Sequence, residues 1–315
     1  MIEVIYQNTE SGAAHDITTL ITAAKLKTAR RGSAGCFTFS VLPSEVEWVH
    51  GGIVRVKSGE TGLFYGYLFK VKKKSDETAE IIAYDQLRYL KNKNTYVFSN
   101  VKATQVIREI CEDFKLKFAA IPDTEYVIPS MVEDGTELFD IILKALDFTL
   151  ISTGKMFCIW DNFGLLTVSE VSDRKLDFML GDSSLATDYN YESSIDGETY
   201  NQIKLVRDNK DTGKRDLYLL KDSENIGRWG LLQYFEKVDE NMNAAQISKR
   251  GEQLLELHNR PEQTFSVDGI SDLRVRGGNM IFVQIKALGI NRFCLVEEAE
   301  HDILGETMKL KLKAV

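Results

Sequence analysis

Apolar and polar positions alternate with a period of two through most of the first hundred residues, in short runs separated by turn residues. Phe37, Phe39 and Val41 alternate with Cys36, Thr38 and Ser40, and the run stops before Pro43. A second run, 53–57, follows Gly51 and Gly52, and a turn is predicted at 58–62. The stretch 63–71 is rich in aromatics and has Gly66 at its centre. A glycine inside a strand predicts a bulge or a sharp bend. Residues 72–77 form a solvated tip, and 78–84 return as a further strand. Closely spaced strands of this kind predict a small barrel or sandwich.

The period changes near Asn100. Ala103, Ile107, Ile110, Cys111 and Phe114 fall on one helical face, with Asn100 as the expected N-cap. Pro122 and Pro129 bracket an extended connection. A second helix is expected from about Thr136, with Leu138, Ile141, Ile142, Ala145 and Leu146 as its apolar stripe. Glu137 and Asp140 lie near its positive end. Runs 156–160 and 165–168, joined by Asp161 to Gly164, predict a hairpin. Further on, 203–206 and 217–220 flank a polar hairpin tip at 208–213. One more helix is expected, capped by Asn243 with Gln246 as its capping-box partner. Ala244, Ile247, Gly251, Leu254, Leu255 and His258 share its inner face, and Pro261 stops it. Strands at 264–267, 280–287, 293–299 and 307–312 end the chain. In the last of these, Met308, Leu310 and Leu312 alternate with Lys309, Lys311 and Lys313, a solvated face of the kind that protects an edge strand. The expected class is α+β, mainly β. A first β-module spans 1–96, an α/β insert 97–185, and a second β-module of similar texture, carrying a helix near 243–258, spans 186–315.

A length of 315 residues exceeds one hydrophobic core, which agrees with several modules. The net charge of −8 argues against specific nucleic-acid binding and against docking on an anionic membrane, since both need a basic face. Runs such as Lys72 to Lys74 are too short to supply one. The four cysteines, Cys36, Cys111, Cys158 and Cys294, form no CxxC pair and are expected as buried free thiols. The start of the chain has no secretory pattern, and no run reaches the ~20 apolar residues of a membrane span, so cytoplasmic synthesis is expected.

Candidate chemistry does not assemble. His15, His50, His258 and His301 occur in no metal-ligand spacing, and His258 is expected as a packed histidine near a helix C-terminus. Glu297, Glu298, Glu300 and His301 are expected at a solvated strand end, because Glu298 and Glu300 share a face and His301 opposes them. Ser152 to Lys155 echoes a phosphate loop but lacks its upstream glycine, with Thr149 in that place, and has Met156 where a hydroxyl is needed. Gly32 to Gly35 lacks the frame of a nucleophile elbow. No carboxylate pair is singled out for glycoside hydrolysis. Trp48, Trp160 and Trp229 are expected as core or interface anchors. No catalytic residue, cofactor or metal site is therefore expected, and the chain is read as a non-enzyme.

Several segments in order carry a resemblance: Gly62 to Gly66, Ala83 to Leu90, the helix after Val101, Pro122 to Tyr126, Gly135 to Ile142, Tyr191 to Asp196, Trp229 to Gln233, and Glu300-His301 before the last strand. Together they resemble the XkdQ/YqbQ-type hub proteins of phage-like contractile tails and tail-derived bacteriocins, which are related to the T-even phage baseplate hub. The resemblance implies two similar small β-barrels with an inserted α/β domain, the first barrel free to borrow strands from 186–235. It implies a homotrimer whose six barrels form a pseudo-sixfold ring between a hexameric tail tube and a trimeric central spike. Other baseplate proteins and LysM-type tail proteins would be neighbours, and the finished protein would reside in a virion baseplate. It carries no catalytic residues over. An acidic bore would let DNA pass without adhering. The rival readings are a receptor- or glycan-binding tail adhesin, which would show β-repeats, and a tail-associated cell-wall hydrolase, which would show an acid pair or metal triad.

Overall fold

Period-two burial in the N-terminal third follows the alternation of the sequence. In the computed structural model, which describes residues 2–181, 186–209, 213–240 and 242–314, strand Cys36–Val41 buries Phe37, Phe39 and Val41. Strand Ile53–Ser58 buries Val54 and Val56, and Ala79–Tyr84 buries Ala79, Ile81 and Ala83. With Tyr6, Ile17, Leu26 and Leu68 these side chains form one core. Gly66 lies within strand Thr61–Lys73, but the bulges fall at Val56/Lys57 and Leu68/Lys70 instead. Its role is close approach: a Cβ there would sit 2.5 Å from the Phe64 ring and from the Tyr84 carbonyl.

The fold is α+β and mainly β. Thirteen strands make one continuous sheet. From one edge it runs Ala186–Ser194, Glu262–Ile270, Thr307–Ala314, Ile290–Asp302, Ile21–Ala29, Cys36–Val41, Ala79–Tyr84, Thr61–Lys73, Ile53–Ser58, Ile2–Gln7 and Ala14–Asp16. Met280–Ile285 joins Ile290–Asp302 on its other side, and Lys175–Gly181 lies parallel to Met280–Ile285. Two cores sit along this sheet. The second gathers Phe265, Val267, Ile281, Val283, Leu310 and Leu312 among others. The N-terminal module takes its extra strand from Glu298–Asp302, which pairs with Lys25–Ala29. The strands described within 186–235 pair elsewhere, so the borrowing expected from that stretch is not what joins the modules. Among the described residues, strand pairing closes neither module into a complete barrel. Each module does have one chain segment that meets both of its margins. Ala14–Asp16 pairs with Ile2–Gln7, and the same segment continues into Ile21–Ala29 on the far side. Likewise Lys175–Gly181 and Ala186–Ser194 flank the C-terminal module.

Two smaller units interrupt the large sheet. In the first, strands Lys93–Lys102 and Val127–Glu137 form a long antiparallel ribbon. The second of these strands replaces the extended connection expected around Pro129, since a proline is tolerated where one side of a strand has no neighbour. Helix α1 (Ala103–Asp113) follows the ribbon's first strand. Asn100 does not cap it: Asn100 adopts φ 52° inside the strand, and the backbone N–H of Lys102 donates instead to Gln105 Oε1 at 2.8 Å. Helix α2 (Leu138–Thr153) buries Leu138, Ile141, Ile142 and Ala145, as its stripe predicted. The hairpin Phe157–Asp161 with Leu166–Glu170 completes this unit. The second unit places strand Gln202–Asn209 between Lys214–Lys221 and Gln233–Lys237. Helix α3 (Ser223–Trp229) and helix α4 (Ala244–His258) accompany them. The Asn243–Gln246 capping box forms as expected. Residues 210–212 of the expected hairpin tip and the expected boundary at 185 lie outside the described residues.

Candidate functional site

The point where both β-modules meet the first inserted unit is held by buried polar groups. Asp85 accepts the Gly35 N–H at 2.8 Å and the Leu87 N–H at 3.0 Å. Gln86 donates to the Gly164 carbonyl at 2.6 Å and accepts the Lys117 N–H at 2.9 Å. Arg276 donates to the Leu63 carbonyl at 2.8 Å, and the Gly277 N–H to Thr28 Oγ1 at 3.0 Å. A Cβ on Gly277 would lie 2.5 Å from the Ala29 carbonyl carbon, so the backbones pack too closely for any side chain. Burial raises the Asp85 carboxyl well above its ordinary range, reinforced by the charge of Asp161. Burial raises Asp161 too. Burial, reinforced by Arg174, lowers Arg276 to about 10. With most of their polar atoms committed to backbone partners, these groups weld elements together.

The histidines and acids singled out in the sequence are placed as follows. His301 is fully buried, which corrects the solvated strand end expected for it. One ring nitrogen meets Ser271 Oγ and the other the Val275 carbonyl, both at 2.8 Å. Burial lowers it to about 4, so the neutral ring is the resident form. Glu298 and Glu300 do point outward, where they pair with Lys27, Lys311 and Lys25. His258 packs against Tyr200 and Tyr234, with Nδ1 2.7 Å from the Glu198 carbonyl. The lysine row is not on an edge strand. Thr307–Ala314 lies between two neighbours, and Lys309, Lys311 and Lys313 pair across to Asp268, Glu298 and Glu262. Ser152 to Lys155 is the C-terminal end of α2, closed by Gly154 at φ 74°. Trp48 packs on Tyr6 and Phe39, and Trp160 under the Arg174 guanidinium at 4.1 Å. Cys111, Cys158 and Cys294 are buried, while Cys36 is half-buried. Among the described residues, no group of three or more His, Cys, Asp or Glu side chains could hold a metal ion, and no helix is long and apolar enough to cross a membrane.

Two surface features remain. A cleft of about 780 Å³ separates α2, α4 and the large sheet. Its charges are largely mutually paired, through Arg30–Glu297, Arg31–Asp147, Arg250–Glu236 and Lys313–Glu262. The second feature is the outer face of the three-stranded sheet. Its inner face, with Ile203, Leu205 and Leu220, packs on Ile247 and Leu254 of α4. The outer face is uncovered: Leu217 is 58% exposed, Leu219 48% and Phe235 55%. Leu219 and Phe235 both stand directly opposite Lys204, so they share its face. The sequence does carry a signal for this patch. In 217–220 both alternating sets are apolar, more than a strand with one covered face requires.

Comparison with known proteins decides the lineage. The YQBQ-like family matches over residues 24–313. The chain belongs to that family. It is 31% identical over 256 residues to the uncharacterized protein YqbQ of Bacillus subtilis, covering 80% of this chain and 77% of that one. It is 32% identical over 257 residues to the phage-like element PBSX protein XkdQ of the same organism, covering 80% and 78%. The fold is also that of a 43 kDa tail protein of prophage MuSo2 from Shewanella oneidensis, with a TM-score of 0.70 at 16% identity over 98% of both chains. A tail protein from Neisseria meningitidis gives 0.70 at 14% identity over 99% of this chain and 96% of that one.

Proposed function

We propose that this protein is a structural component of a phage tail or phage-tail-like particle, and that within it the chain is the baseplate hub. Kinship with a phage-like element protein at 32% identity over 80% of the chain carries the first half of this reading. The second half rests on architecture. Two β-modules of the same sheet share the strand Ile290–Asp302, and each has one chain segment at both margins, an arrangement suited to two barrel-like units per copy. Three such copies would present six units to a hexameric tube and keep threefold symmetry toward a trimeric spike. Function in this reading is geometric, with no bond made or broken. The buried polar weld keeps the two units at one fixed relation.

The test is co-expression with the tail-tube and spike proteins of the same particle, followed by mass measurement of the purified assembly. Three copies of this chain bound to both partners are expected. A chain that stays monomeric and captures neither partner would overturn the reading.

A further inference from the structure

Among the described residues, strand Lys214–Lys221 is one outer strand of the three-stranded sheet, and Ala186–Ser194 is one outer strand of the large one. An unpaired edge this long is a template for another chain unless it is blocked. Neither strand contains a blocking proline, and on the first the lysines stand only at its two ends, Lys214 and Lys221, leaving 216–220 without one. Their chemistry is opposite. On the first, Lys221 flanks the exposed Leu217 and Leu219, and Lys204 of the neighbouring strand stands beside Leu219 on the same face. Among the described residues neither Lys204 nor Lys221 has a carboxylate within ion-pair reach. On the second, Asp188 and Glu192 are exposed on the same face, Tyr189 is exposed on the other, and the strand has no lysine or arginine.

We propose that these two edges meet between successive copies of the chain, the basic, leucine-bearing strand of one copy seating against the acidic edge strand of the next. A contiguous apolar row at the surface marks a contact site. In a chain of net charge −8, a cationic rim finds its complement on another copy's acidic edge. Because the two patches differ, the contact is head-to-tail and repeats around a closed ring. This deepens the hub reading by naming the surfaces between its copies, and rests on that reading for the ring's closure.

Sedimentation velocity on this chain alone tests the contact. Concentration-dependent self-association that weakens with added salt is expected. Leu217→Asp with Leu219→Asp should weaken it by about tenfold or more. Lys204→Glu with Lys221→Glu should do likewise, as should Asp188→Lys with Glu192→Lys. The variant carrying all four charge reversals restores complementarity and should regain most of the association. Thermal melts verify folding, which these exposed positions leave intact. A wild type monomeric at every concentration overturns the proposal, as do double variants that associate like the wild type or a fourfold reversal that fails to rescue. If the double variants still form trimers with tube and spike, the edges are wrong and the hub reading stands. If the edges behave as stated but neither tail partner is captured, the hub reading fails alone.

Discussion

The two units that interrupt the large sheet handle their apolar surface in opposite ways. The first wraps α1 and α2 against a ribbon and a hairpin, and its core draws in Ile107, Ile110, Ile141, Ile142, Ile159 and Val168. The second lays α4 on one face of a three-stranded sheet, and its fully buried apolar set is Ile203, Leu205, Val238, Ile247 and Leu254. A sheet has two faces, and a single helical layer covers only one. In the first unit most of the apolar surface is buried among two helices, and the exposed large apolar side chains are Val97 and Val132, paired across the ribbon, with Val127 and Leu165. In the second, leucines and a phenylalanine stay outside. The lesson is that the first unit is anchored inward, through Asp85 and Gln86, while the second displays a surface.

That contrast can be broken or sharpened by substitution. The largest effect belongs to the first unit's core. Ile142→Ala should cost about 2–5 kcal/mol, read from the denaturant midpoint, because neighbours on all sides cannot collapse into the space. Next comes pH. His301 falls in the folded state from its ordinary 6.5 to about 4, so its contribution is fully present above pH 6.5. It is lost as pH falls through 6.5 towards 4, by roughly 3 kcal/mol. His301→Gln should flatten that part of the stability–pH curve, and an unchanged curve would show that another group titrates there. Gly277→Ala, at the weld rather than in either unit, should cost about 1–3 kcal/mol through the clash with Ala29. The smallest effect tests the display. Leu217→Ser should move stability by less than about 0.5 kcal/mol, because more than half of the side chain already faces solvent. A loss comparable to Ile142→Ala would mean the face is covered within the chain.

Local elements were legible in the sequence where one signal acted alone. The Asn243–Gln246 box marked the start of α4, the stripe from Leu138 marked α2, and the turn Asp161 to Gly164 marked its hairpin. Asn100 misled because capping chemistry and left-handed turn chemistry favour the same residue type. The ribbon strand Val127–Glu137 was hidden by Pro129 and by the bulge opposite Asn94 and Tyr96, which breaks the alternation. The lysine row disclosed which face is polar, but no local pattern discloses how many neighbours a strand has. The pairing of Lys25–Ala29 with Glu298–Asp302 spans most of the chain and leaves no local trace. The buried state of His301 follows from that pairing and was illegible for the same reason.

The strand Ile290–Asp302 belongs to both β-modules, its first half bound to Met280–Ile285 and its second to Ile21–Ala29. No hinge can therefore operate between the two halves without tearing a ladder of hydrogen bonds. A load applied to either half travels along an unbroken covalent backbone and is resisted in shear. Mechanically the chain is a beam, and anything fastened at its two ends moves as one.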